Sequence, residues 1–305
     1  MFGVSPAYFF SRFSTDFTVD QIVQALPDLR CMDFEGIQLE IFHADRLREW
    51  ESKSQLLAKA LDSEGLIPTQ FVAHFLLQAF ESEEYLLSNY GLDEWKRVVD
   101  IVQNFPQCKV VTLPFPPFKA QKGEIYNPTR YNRLYGALLN KVAKMLEGVE
   151  TQGLKMALEI MPFSLVGNLE GFIRLSAALG TNTLGYNFDT GHAYHSKEIL
   201  SLIPARLKEP IGNIGVKDLT FNITSRIYGT HLKDIKEGVA QAVRPGAGQL
   251  NWEEVLSNLI ASGYTGSLDL EIPCREDEVQ EEYTKGLKFL KETRARIEPA
   301  GLKVG

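Results

Sequence analysis

Four short apolar runs in this chain each end in a side chain able to hold a cation or a proton. They are Met156-Ala157-Leu158-Glu159, Leu184 to Phe188 followed by Asp189, Ile227-Tyr228-Gly229-Thr230-His231, and Ser267-Leu268-Asp269-Leu270-Glu271. One strand ending on a carboxylate is ordinary, because strand ends reach solvent. Four such ends, in the chain order Glu, Asp, His, Glu, constrain the fold much more. Residues so far apart in sequence meet only if their strands finish on a common face. A parallel sheet closed into a barrel provides that face, since the carboxyl ends of all its strands share one rim.

The rest of the chain has the alternation such a barrel needs, with short β-rich runs separated by stretches of helical period. Phe2-Gly3-Val4-Ser5, Ile37 to Phe42, Thr69 to Phe75, Lys109 to Leu113 and Leu154 to Ile160 are the first five strand candidates, and Leu184 to Phe188 the sixth. Helices are expected over Ser54 to Leu61, stopped by Gly65, and over Trp95 to Val102, Leu169 to Leu179 and Glu278 to Ile297. Asn127-Pro128 opens a long helix to Val149, proline being tolerated in a first turn. Two segments compete for the seventh strand, Ile211 to Val216 and Ile227 to Leu232, both followed by Lys-Asp. The second is preferred because it carries a histidine, which leaves an insertion over 205–225. Ser267 to Ile272 is the eighth. No linker or low-complexity segment divides the chain, so residues 1–305 are expected to form a single α/β domain, a (β/α)8 TIM barrel with its active site at the C-terminal ends of the strands.

Composition narrows the partners. A formal charge of −7 disfavours a polyanion, which needs a dense Lys/Arg surface, so no nucleic-acid partner is expected. Cys31, Cys108 and Cys274 are widely spaced and form no CxxC, which argues against a disulfide framework and a thiolate zinc site. Met1 to Phe10 is too short and lacks the basic segment of a secretion signal, and no apolar run approaches membrane-spanning length. A cytoplasmic location without a membrane partner is therefore expected. A homo-oligomer stays open.

Glu159, Asp189, His231 and Glu271 together offer three carboxylates and an imidazole, a donor set suited to one hard or borderline divalent ion. Mn²⁺ is favoured, with Mg²⁺, Co²⁺ and Zn²⁺ as alternatives. Three carboxylates around a divalent ion repel one another until the ion binds, so the metal-free cluster is expected to be loose. His192, three residues past Asp189, either faces the same pocket or steadies Asp189. Glu40 shares a strand face with Gln38 and Phe42 and is a candidate barrel-lining, substrate-binding group. Arg244, with planar donors, is either an anchor for a substrate carboxylate or phosphate or a surface arginine.

These residues resemble the xylose isomerase-like TIM-barrel superfamily, which includes sugar epimerases and isomerases, inosose dehydratases and DNA-repair enzymes of the endonuclease IV type. Leu158-Glu159 is similar to its metal-binding Glu on the fifth strand, Asp189-Thr190-Gly191-His192 to its Asp-x-x-His on the sixth, and His231-Leu232-Lys233-Asp234 to its His-x-x-Asp on the seventh. Arg244-Pro245-Gly246-Ala247-Gly248, Asn251-Trp252 and Gly263-Tyr264-Thr265-Gly266 before Leu270-Glu271 resemble its final glycine-rich loop, helix and ligand-bearing eighth strand. The likeness is strong over 154–275 and thin before that. His74 resembles a pocket histidine of the superfamily, although a core histidine beside Phe71, Phe75 and Leu76 fits as well.

The resemblance implies a metal-dependent isomerase or epimerase acting on a small sugar or polyol. Glu159 and Glu271 would move a proton next to a carbonyl through a metal-stabilised enediolate. A dehydratase of the inosose or dehydroshikimate type needs the same parts and is not separated from it. The endonuclease branch needs further histidines where this chain has Thr112-Leu113-Pro114 and Arg244, so its three-zinc cluster is expected to be absent. A non-catalytic metal-binding barrel is the remaining alternative.

Overall fold

The computed structural model describes residues 1–120, 127–208, 225–238 and 241–297. Eight strands run in the order β1 Phe2–Val4, β2 Gly36–Glu40, β3 Ile67–Val72, β4 Val110–Phe115, β5 Lys155–Ile160, β6 Leu184–Asp189, β7 Ile227–His231 and β8 Leu268–Leu270. All pairings are parallel, and the sheet reads β7-β6-β5-β4-β3-β2-β1-β8. Just past its end β7 meets β8 through Leu232, whose N–H donates to Asp269 O at 2.8 Å and whose carbonyl accepts from Glu271 N at 2.9 Å. The eight strands thus form a nearly closed barrel with helices between them.

Side chains alternate across each strand, which divides the interior into two chemistries. Outward-facing residues are apolar and pack on the helices. Phe71 of β3 meets Trp50 of the helix Leu47–Glu64 at 5.2 Å, and Tyr186 of β6 meets Phe172 of the helix Leu169–Leu179 at 5.1 Å. The inward layer below the rim is largely polar, with Gln38, Gln70, Thr112 and Asp269 all buried. TIM barrels usually fill this space with branched apolar side chains. Here buried polar groups bond one another instead: Thr112 donates to Gln70, Gln38 to Asp269, and Ser267 to Asp269. Gly3 makes room for Asp269, since a Cβ on it would lie 2.1 Å from Asp269 Oδ1.

Local signals explain most element boundaries. Gly65, at φ 65°, closes the helix Leu47–Glu64 in a left-handed cap, and the Asn127 side chain caps the helix Pro128–Thr151. The helices Ala7–Phe13 and Val19–Cys31 precede β2, and the second opens on a capping box between Thr18 and Gln21. The third expected strand is shorter than its apolar run: β3 ends at Val72, and His74–Phe80 turns into a 3-10 helix. Ile227–His231 is the seventh strand; its competitor Ile211 to Val216 lies outside the described residues, as does most of the expected insertion. No helix among the described residues is long and apolar enough to cross a membrane.

Candidate active site

Register brings the four strand-end residues together. Asp189 of β6 pairs with His231 of β7, Glu159 sits one residue from the end of β5, and Glu271 follows β8. One ligand atom from each of Glu159, Asp189, His231 and Glu271 lies within 4.8 Å of the others. His231 is at the centre, its Nδ1 being 2.9 Å from Glu159 Oε1, 3.1 Å from Glu271 Oε2 and 3.6 Å from Asp189 Oδ2. Glu159, Asp189 and His231 are buried, and Glu271 is partly exposed.

The cluster includes a cation of the chain's own. Lys233 Nζ lies 2.7 Å from Asp189 Oδ2 and 2.9 Å from Glu271 Oε1. Its aliphatic stem passes over Gly191, where a Cβ would come within 2.4 Å of Lys233 Cε. Burial alone would push the carboxyls of Glu159 and Asp189 up. The positive charge of His231 beside Glu159, and of His192 and Lys233 beside Asp189, outweighs it and holds both below the usual carboxylate range. Burial likewise works against the charged forms of His231 and Lys233, and the surrounding carboxylates raise both. Sequence reasoning passed over Lys233, although its place two residues after the strand-end histidine puts it on the same face.

The donors fit a divalent ion. Asp189 Oδ2 and Glu271 Oε2 are buried and accept no hydrogen bond, so Asp189 meets Lys233 by ion pairing alone. Buried anionic oxygens that converge on one imidazole nitrogen need positive charge beside them, which Lys233 and His231 supply in part and a divalent ion would complete.

A cavity of about 220 Å³ opens above the cluster, smaller than the roughly 300–1,000 Å³ of drug-sized sites. Glu40, Glu159, His192, His231 and Glu271 line it together with Phe10, Phe42, Val72, His74 and Met161. His192 Nε2 is 3.5 Å from Glu159 Oε1, while its backbone N–H donates to Asp189 Oδ1 at 2.7 Å. Glu40 is 4% exposed and its Oε2 has no partner. Burial, reinforced by the charge of Glu159, raises its carboxyl well above the usual range and so favours the neutral acid, which can donate.

His74 stacks on Phe42 at 4.0 Å between ring centres. Burial pulls its imidazole down to about 4, against the opposing pull of Glu159. The folded value lies below the unfolded value of 6.5, so the neutral ring stabilises the fold above pH 6.5 and that contribution fades as pH falls towards 4. Up to about 3 kcal/mol is at stake. The acid limb of a denaturation series between pH 7 and 4 is expected to be shallower in His74→Gln; an unchanged slope would show that His74 does not drive it.

Arg244 lies beside the last helix. Its guanidinium lies 3.4 Å from Glu282, and it is not among the residues lining this cavity. Asp234, not Arg244, organises the glycine-rich loop, accepting from Gly246 N, Leu250 N and Trp252 Nε1 at 2.8–3.0 Å. Leu113 is fully buried in β4.

A family model described as xylose isomerase-like TIM barrel matches residues 27–293, and the chain belongs to that family. A structure of L-ribulose 3-epimerase superposes with a TM-score of 0.72 at 14% identity, covering 100% of this chain and 99% of that one. D-psicose 3-epimerase with D-fructose gives 0.70 at 13%, covering 95% and 98%, and the IolI protein with a bound zinc atom gives 0.67 at 16%, covering 97% of each. Among curated sequences, the uncharacterized protein MJ1311 of Methanocaldococcus jannaschii is 29% identical over 133 residues, which are 43% of this chain and 41% of that protein. Identities this low in the solved structures carry the fold alone.

Proposed function

We propose that this chain is a divalent-metal-dependent isomerase or epimerase that moves a proton next to a carbonyl of a small sugar or polyol. The observation that carries this reading is the pair Glu159 and Glu271, which face one cavity from strands separated by β6 and β7 and share the imidazole of His231. Two such bases beside one substrate suit the removal of a carbon-bound proton by one and its return by the other. Glu159, Asp189, His231 and Glu271 would hold the ion. When bound, a divalent cation supplies Lewis acidity worth several kcal/mol to the loss of that proton. The oxygen-rich donors favour Mn²⁺ over Zn²⁺, although the IolI neighbour carries zinc.

The chain's own residues supply the rest. Glu159, held in its ionised form, can accept the proton, and Glu271 can return one from its own side. Glu40 and His192 offer hydrogen bonds to substrate hydroxyls, while Phe42 and His74 present an apolar face to a sugar ring. The 3-epimerase neighbours support the substrate class. The neutral carboxyl of Glu40 favours one second reading, a dehydratase, because expelling a β-hydroxyl needs a general acid.

Elemental analysis of purified protein, followed by a ketose and polyol panel in deuterium oxide read by NMR, tests the proposal. One equivalent of divalent ion and solvent deuterium in a carbon-bound position are expected. Water loss to an unsaturated or keto product would instead support the dehydratase. Incision of an abasic duplex that disappears in Asp189→Ala would overturn both.

A further inference from the structure

The polar layer beneath the cluster reaches it through one residue, Gln38 of β2. Its Oε1 lies 2.8 Å from His231 Nε2, and its Nε2 lies 2.7 Å from Asp269 Oδ2 and 3.1 Å from the carbonyl oxygen of Thr230. All three groups are buried. A backbone carbonyl only accepts, so the amide NH₂ of Gln38 must face Thr230, and its oxygen must face the imidazole. That oxygen in turn only accepts. His231 Nε2 must then carry a proton, and in the neutral ring the lone pair falls on Nδ1, the nitrogen turned towards Glu159, Asp189 and Glu271.

We propose that Gln38 is a positioning residue that fixes the tautomer and ring plane of His231 and so makes Nδ1 the metal-binding atom, with Asp269 and Thr230 fixing the amide in turn. This rests on the metal-dependent reading of the site. Imidazole ligands depend on the partner of their other nitrogen, and losing such a partner typically costs about 10–100-fold in metal affinity. Ser267 and Thr69 also donate to Asp269, at 2.5 and 3.1 Å, so the amide is braced from below by a carboxylate that is itself fully bonded. Bracing of this kind explains a buried carboxylate that makes no contact with the cavity.

The test uses Zn²⁺ as probe and protein labelled with ¹⁵N in its histidines, His231 being assigned by the spectrum of His231→Asn. In the loaded protein Nε2 is expected to bear a proton and Nδ1 to show the metal-bound shift. Gln38→Met is expected to lose that protected proton signal and to bind Zn²⁺ about 10–100-fold more weakly. The pair Gln38→Glu with Asp269→Asn, which keeps an acceptor against His231 and a donor beneath it, is expected to keep the signal and to lose less affinity than Gln38→Met. A bracing role alone predicts the reverse, because the carboxylate oxygen would then repel the Thr230 carbonyl. Zn²⁺ on Nε2, or unchanged affinity and signal in Gln38→Met, would overturn the proposal while leaving the metal reading intact. A wild-type chain that takes up no Zn²⁺ would overturn the metal reading instead. The Nε2 proton is then read in metal-free protein, where its presence in the wild type and loss in Gln38→Met support the positioning role and its absence in the wild type overturns it.

Discussion

Glu159→Gln and Glu271→Gln are each expected to lower kcat by about 10²- to 10⁴-fold with a much smaller change in KM, the range typical of a lost general base or acid. The amide keeps the volume of the side chain but cannot accept a proton. In Glu159→Gln a further effect has a visible cause: Oε1 faces both His231 Nδ1 at 2.9 Å and His192 Nε2 at 3.5 Å, and the substitution removes the charge that favours the protonated rings. The His231 imidazole, raised by the carboxylates around it, should therefore titrate lower in this variant. Metal occupancy must be measured on the same samples, because loss of the ion would mimic loss of a base. A proportional rise in KM at unchanged kcat, with full occupancy, would assign both glutamates to binding rather than proton transfer.

The candidate site was legible because strands bury apolar runs and then stop. Glu159, Asp189, His231 and Glu271 each follow such a run, and only a shared rim can gather them. What escaped was what strand alternation hides. Asp269 lies within a strand, where a polar residue between apolar ones usually marks a solvent face, whereas here it points into the barrel; Gln38 shares a strand face with Glu40, but its bonds to His231 and Asp269 join strands that no local pattern connects. Lys233 enters only as part of His231-Leu232-Lys233-Asp234, because no pattern in one sequence shows that Gly191 has cleared a path for its stem. Arg244 stays open between two readings because a loop arginine gives no sign of where it points, and the structure sets it beside Glu282 of the last helix. The first helices left only the Thr18–Gln21 capping box as a trace, a signal available but unused. At the third strand, Phe71 to Leu76 is apolar throughout, apart from His74, and composition cannot separate the strand from the 3-10 helix that continues it.

Asp189→Ala and His231→Ala are expected to abolish tight binding of a divalent ion while leaving the barrel folded. Each removes a donor from the rim, above the layer of side chains that fills the barrel. The two variants should differ in stability, and the difference is informative. Asp189 Oδ1 also caps the short helix Thr190–His195 by accepting from His192 N, a bond worth about 1 kcal/mol. Asp189→Asn keeps a cap acceptor and removes only the charge, so it should recover the cap without recovering the ion. In His231→Ala the amide oxygen of Gln38 loses its partner and the carboxylates keep only Lys233 and His192 as nearby cations. Circular dichroism establishes the fold, and elemental analysis after dialysis against a weak chelator reads the ion. If Asp189→Asn and His231→Ala both retain one equivalent per chain, the ion sits elsewhere and the four strand ends meet for another reason. If only Asp189→Asn retains it, Lys233 still pairs with Glu271 Oε1 and competes for that oxygen, so the double variant with Lys233→Met should bind the ion more tightly than Asp189→Asn does.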